Sequence, residues 1–211
     1  MTRLLLATRS PDKVREIRRI LAAAGCAVEI QSLDEAHVRW SGEEERIEAY
    51  DSFLSNARAK AEHFARLTGR PTVADDSGIE VIALGGAPGV RSKRFAPESG
   101  RLTGKELDAA NNAELLRRLE GADAARRRAS YTCVAVLLRG PAATPEAFTG
   151  KSWGRILEAP RGSGGFGYDP LFFHEGLGKS FGEAAPEEKD GVSHRGDAFR
   201  QLAAALAARA L

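Results

Sequence analysis

The run Leu4-Leu5-Leu6-Ala7 has no polar alternation, and Thr8-Arg9-Ser10-Pro11 and an apolar pattern of helical period follow it directly. A strand of this kind is buried on both faces, which a sheet flanked by helices provides. Ser10 suits an N-cap and Pro11 the first helical position. Val14, Ile17, Ile20, Leu21 and Ala24 then share a face, and Gly25 supplies the stop. The chain therefore opens as strand, turn and helix.

The remaining pattern keeps mixing the two periods. Ala27 to Ile30 reads as a second strand, followed by an acidic loop through Glu43-Glu44-Glu45. A helix is expected from about Asp51 to Thr68, with Phe53, Leu54, Ala57, Ala61, Phe64 and Ala65 inward and Gly69 closing it. Extended segments on either side of Asp75-Asp76-Ser77-Gly78 place these acids on a break between strands. Thr103 to Glu106 resembles a capping box opening a third helix, and Ser130 to Leu138, Ala147 to Leu157 and Leu171 to Phe173 read as strands. Two glycine-rich loops, Gly85 to Gly89 and Gly162 to Gly167, punctuate the pattern, and a final helix starts at Arg195 or Gly196. With no repeats or low-complexity linkers, the expectation is an α/β fold with a mixed central sheet in one domain spanning residues 1–211.

Charge narrows the function classes. In 211 residues, 31 Lys and Arg stand against 29 Asp and Glu, leaving +2, so no global field draws the chain to nucleic acid or a membrane. Any anion site must be built locally. The apolar stretches fall short of the roughly 20 residues of a membrane span, and the opening Met1-Thr2-Arg3 with its short apolar run lacks the length of a secretory signal. A cytoplasmic address is the expectation. Cys26 and Cys133, far apart, read as buried thiols, and His37, His63, His174 and His194 lack metal-ligand spacing, which leaves carboxylates as candidates for holding a hard cation.

Three groups of residues could carry chemistry. Asp75 and Asp76 could direct oxygens at Mg²⁺ and at a water, although Asp-Asp-Ser-Gly is equally good turn chemistry. Lys13 lies on the first turn of a helix, where free N–H groups and the dipole favour an anion. Lys60 on the second helix is a similar case, and Glu48 just before that helix is a candidate metal ligand, each equally an ordinary surface residue. Ser193-His194-Arg195-Gly196 offers a guanidinium fork for phosphate and hydrogen-bonding groups for a heterocycle. A Ser–His hydrolase triad there would lack a nucleophile elbow.

Taken in order, these residues resemble the inosine triphosphate pyrophosphatase family. The motifs are Leu6-Ala7-Thr8 with Lys13, Phe53-x-x-Asn56-Ala57 with Lys60, Ala74-Asp75-Asp76-Ser77-Gly78, and Gly86-Ala87-Pro88-Gly89-Val90 with Ser92 and Arg94. Gly164 to Pro170, Glu188-Lys189 and Ser193-His194-Arg195-Gly196 complete the set, from about residue 4 to 205. The resemblance implies an elongated protein whose two lobes flank a cleft, a homodimer using Mg²⁺ to convert ITP, dITP or XTP to the monophosphate and pyrophosphate. It implies that Asp76 is the general base and that Glu48, Asp75 and Asp76 hold the metal. Lys13, Lys60 and Arg195 would grip the triphosphate, with Thr8, Ser10 and Ser77 also at the substrate. Phe166, Gly167, Tyr168, Asp169, Lys189, Ser193 and His194 would receive the purine, Phe166 by stacking.

Two positions depart from the family pattern: Ser10 stands where Asn is usual, and Tyr50 where Gly is common. Ser10-Pro11 is similar instead to the Maf-like pyrophosphatases, which leaves modified pyrimidine nucleotides as an alternative substrate class. A non-catalytic nucleotide- or RNA-binding module is the third reading, disfavoured by the absence of a basic, aromatic-interleaved patch.

Overall fold

The computed structural model describes residues 3–209 and 211; Met1 and Thr2 of the opening segment lie outside them. In chain order the strands are β1 (Arg3–Leu6), β2 (Glu29–Ser32), β3 (Thr72–Val81), β4 (Arg128–Leu138), β5 (Glu146–Ile156), β6 (Phe172–His174) and β7 (Lys179–Ser180). The α-helices are α1 (Pro11–Ala23), α2 (Phe53–Thr68), α3 (Gly104–Arg118), α4 (Pro186–Val192) and α5 (His194–Ala208). The strands follow the order β2-β1-β3-β4-β5-β6-β7. β1 runs parallel to β2 and β3, and β6 runs antiparallel to β5 and β7, so the sheet is mixed as expected.

The chain packs into two compact units, one of residues 1–76, 133–150 and 195–211, the other of residues 77–132 and 151–194. Both boundaries near the C-terminus and in β3 fall inside candidate motifs, between His194 and Arg195 and between Asp76 and Ser77.

In the first unit the alternation of β-strand side chains sorts the core into two layers. Leu4, Leu6, Val73, Cys133, Ala135 and Leu137 meet α1 and α5 through Ile17, Ile20, Leu21, Phe199 and Leu202. Leu5, Ala7, Ala74, Val134, Val136 and Leu138 meet α2 through Ala57, Ala61, Phe64 and Ala65. Helices thus cover both faces, which is why β1 and this half of β4 contain almost no polar residues. In the second unit Ile79 and Val81 of β3, Leu115 and Leu119 of α3, Tyr131, Ile156, Leu171, Phe172 and Phe181 form a separate core.

Several expectations are corrected. Asp75 and Asp76 lie within the continuous strand β3, not on a break, because β3 keeps pairing past the end of β1. β2 begins two residues later than Ala27, since parallel register with β1 matches Arg3 to Glu29 and Leu6 to Ser32. Thr103 does not cap α3 through its side chain, so the box does not form. The acidic stretch from Pro186 folds as α4, with Pro at its first turn and Glu188 bonded back to the Ala185 N–H at 2.8 Å. Cys133 is buried but Cys26 is only half-buried.

Candidate active site

In the first unit, three elements bring charged groups together. The turn after β1 is held by its own hydroxyls: Ser10 Oγ accepts from the Lys13 N–H at 3.3 Å, and Thr8 Oγ1 accepts from the Ser10 N–H at 3.2 Å. Ser10 and Pro11 thus act as N-cap and first helical residue, a local structural duty that accounts for their presence without reference to pyrimidine enzymes. The cap aims Lys13 across to β3, where Nζ lies 3.0 Å from Asp75 Oδ2.

Consecutive positions on a strand point to opposite faces. Asp75 accordingly shares the face of Val73, towards α1 and α5, while Asp76 shares that of Ala74, towards α2. Asp75 Oδ2 also accepts from Nε and Nη2 of Arg195 at 3.4 Å, and Arg195 Nη1 donates to Glu16 Oε2 at 2.7 Å. Burial would push the Asp75 carboxyl up, but Lys13, Arg195 and Lys60 overcome it and hold Asp75 well below the usual range, an anion at any working pH. Arg195 is 2% exposed and engaged by the carboxylates of both Glu16 and Asp75. Its guanidinium fixes Asp75.

On the other face, α2 presents Asn56 and Lys60 one turn apart. Lys60 is ion-paired with Glu48, and although burial works against its charge, Glu48, Asp75 and Asp76 raise its pKa above the ordinary lysine value. Asp76 is shifted up, chiefly by burial, with Lys13 and Lys60 opposing and Glu48 adding to the shift. An acid whose proton affinity is raised is a better base once ionised. Ser77 continues the same strand.

Among the described residues, no three His, Cys, Asp or Glu side chains converge as a preformed metal cage. Asp75 Oδ1, however, is buried without a hydrogen-bond partner among them. An orphaned buried carboxylate oxygen fits a hard cation that brings water and phosphate ligands of its own, as Mg²⁺ does.

The second unit gathers the remaining candidates. Asp169 Oδ2 accepts from Lys189 Nζ at 2.7 Å and from the Phe166 N–H at 2.8 Å, with Lys189 lying 4.9 Å from the Phe166 ring centroid. Gly165, at φ +69°, is required here, because a β-carbon would fall 2.1 Å from Asp169 Oδ2. His194 stacks on Tyr131 with ring centroids 4.5 Å apart and planes 7° from parallel, and Ser193 is fully buried at the end of α4. Tyr168 departs from expectation: it sits in the core, and its hydroxyl donates to the Ser92 carbonyl at 2.7 Å. A cavity of about 380 Å³ lies between α3 and the glycine-rich loop, lined in part by Asp108, Asn112 and Phe166.

Sequence reasoning passed over four polar residues in these groups. Glu16 carried a signal, a charge one turn from Ile20 on the apolar face of α1. Asn56 stood inside a quoted motif without a role. Asp108 and Asn112, which bind the Gly167 N–H and carbonyl at 2.9 Å each, lie on a helix whose apolar periodicity is too weak to mark a special face.

The Ham1 family model matches residues 4–205. A dITP/XTP pyrophosphatase of Ralstonia nicotianae is 45% identical over 203 residues, covering 96% of this chain and 95% of its own length. One of Thermus thermophilus is 44% identical over 200 residues, covering 95% and 89%. Among solved structures, a HAM1 protein from Coxiella burnetii matches with a TM-score of 0.83 at 35% identity, covering 99% and 100% of the two chains. A nucleoside-triphosphatase, or dITP/XTP pyrophosphatase, from Mycobacterium abscessus gives 0.68 at 38%, covering 97% and 99%. Matched in sequence along nearly all its length and in fold to solved members, this chain belongs to the Ham1 family.

Proposed function

We propose that this protein hydrolyses deaminated purine nucleoside triphosphates, ITP, dITP and XTP, to the monophosphate and pyrophosphate. The observation that carries the reading is the buried charge cluster on β3, in which Lys13 and Lys60 flank two consecutive acids of opposite orientation, in a chain whose relatives are named for this activity. Asp76 positions the attacking water and accepts its proton as it adds to the α-phosphorus. Lys13 and Lys60 offset the charge that develops on the departing pyrophosphate, an electrostatic contribution that water-poor surroundings strengthen. Arg195, held by Glu16, keeps Asp75 ionised and oriented.

Asp75, Asp76 and Glu48 are the residues that would hold Mg²⁺ beside the phosphates. Bound there, the cation would lower the pKa of water and offset phosphate charge. Glu48 would hold the cation in place of its Lys60 partner, and the lysine so relieved would be available to phosphate.

The purine is taken by the Phe166 ring, with the Asp169–Lys189 pair, Ser193 and His194 supplying polar contacts. Donors aimed at O6 of hypoxanthine or xanthine would face the amino group of adenine and be left unpaired, a large penalty in a buried site. A cytoplasmic homodimer is the setting of this reading; no helix among the described residues is long and apolar enough to cross a membrane.

Chromatographic product analysis with Mg²⁺ and, separately, dITP, XTP, GTP, ATP, dTTP and UTP tests it. Monophosphate plus pyrophosphate from dITP and XTP, with ATP and GTP nearly untouched, is expected. Preferential cleavage of dTTP or UTP would overturn the purine assignment.

A further inference from the structure

Asn56 lies at the fourth position of α2, in the first turn beyond the Ser52 cap. Side chains on a helix lean towards its N-terminus, so an Asn here reaches back over the cap to the chain that precedes it. Its amide is used in full. Oδ1 accepts from the Tyr50 N–H at 2.9 Å, and Nδ2 donates to the Tyr50 carbonyl at 3.1 Å and to Asp76 Oδ2 at 3.0 Å.

The first two bonds clasp both backbone groups of one residue, as a neighbouring strand would. The third fixes the rotation of a carboxylate. Asn56 is 2% exposed and its bond to Asp76 is buried, so that contact counts at its buried strength. Lys60, one turn further along the same helix, is paired with Glu48, two residues before Tyr50. The segment carrying Glu48 is therefore pinned to α2 at two points, and one of those pins also grips Asp76.

We propose that Asn56 is a positioning residue for hydrolysis, making Asp76 and the Glu48–Tyr50 segment one rigid piece so that the carboxylate which activates water keeps its orientation. The proposal rests on the reading of Asp76 as general base. The clasp on the Tyr50 peptide alone would need no donor directed at β3.

The test compares wild type with Asn56→Ala, Asn56→Asp and Asp76→Asn in XTP hydrolysis with Mg²⁺, alongside calorimetric binding of a non-hydrolysable α,β-methylene XTP analogue and thermal unfolding. Asn56→Asp keeps the shape and the acceptor for the Tyr50 N–H but removes both donated bonds, so it decides the matter if the alanine variant does not fold. Both Asn56 variants are expected to lose about 10- to 100-fold in kcat, with KM and analogue affinity within about threefold of wild type. Folded variants with kcat within about twofold of wild type would overturn the proposal, as would a parallel fall of kcat and analogue affinity, which marks a structural role. An Asp76→Asn variant with normal turnover would instead sink the underlying assignment of the base, whatever Asn56 does.

Discussion

Replacing Lys189 with Met isolates the energetics of the Asp169–Lys189 pair. Lys189 Nζ sits 2.7 Å from Asp169 Oδ2, and the two side chains are 6% and 3% exposed, so neither charge is shielded by solvent. Removing one partner of such a pair leaves a buried carboxylate short of its countercharge, which costs about 3 to 5 kcal/mol. The Phe166 N–H, 2.8 Å from the same oxygen, still donates, which places the expected loss near the lower figure, about 3 kcal/mol. For a chain of 211 residues this lowers the unfolding midpoint by roughly 6 to 12 °C. The assay is thermal and urea unfolding of Lys189→Met, Asp169→Asn and the double variant. Because a neutral Asn can keep accepting from Phe166 without needing a cation, the double variant should recover a substantial part of the loss. A single Lys189→Met variant destabilised by less than about 1 kcal/mol, or a double variant no more stable than it, would refute the view that this is a desolvated, mutually dependent pair.

Other predictions follow from separate features. Asp76→Asn should lower turnover by about 10²- to 10⁴-fold, the range of a general base, while leaving nucleotide affinity intact; normal turnover would remove Asp76 from the reaction. Gly165→Ala should destabilise by at least about 1 to 2 kcal/mol for the left-handed backbone alone, and should raise KM for XTP because the new methyl displaces Asp169; unchanged unfolding and kinetics would contradict the close approach. Glu114 is held down to about 2 by hydrogen bonds from Arg117 and Arg118. Its stabilising effect is therefore present above the ordinary value of 4.5 and lost as pH falls towards 2. The unfolding midpoint of Glu114→Gln should accordingly converge on that of wild type over this interval, and a gap that stays constant with pH would disprove the linkage.

What could be read from the sequence depended on how local its cause was. The α1 start was legible because Ser10 and Pro11 act within one turn, and α2 because Gly69 and the Ala57–Ala61–Phe64 stripe are local periodicities. The acids on β3 were assigned to the right segment but to the wrong geometry: Asp-Asp-Ser-Gly has turn chemistry, and only pairing with distant strands keeps it extended. The α4 helix was missed because seven residues carry too little periodicity to show. Within the site, Lys13 and Lys60 could be named from motif position. The burial of Arg195 could not, because Glu16 is 179 residues away along the chain and nothing local indicates their meeting. The core packing of Tyr168 was hidden for the same reason, its hydroxyl being bonded to a carbonyl 76 residues earlier.

The opposite orientation of Asp75 and Asp76 also bears on how the chain finds its register while folding. Each acid has a receptor on its own side of β3: Lys13 and Arg195 for the first, Asn56 for the second. A one-residue slip of β3 would turn Asp76 to the face that meets α1 and α5, and would deliver Ala74 to the place of Asp75 or Ser77 to that of Asp76. In either direction one acid would be buried away from its receptor, a mistake far more expensive than exchanging one apolar residue for another. In a strand whose alanine and valines discriminate weakly between alternative pairings, the two acids thus serve as the alignment marks by which the sheet is assembled.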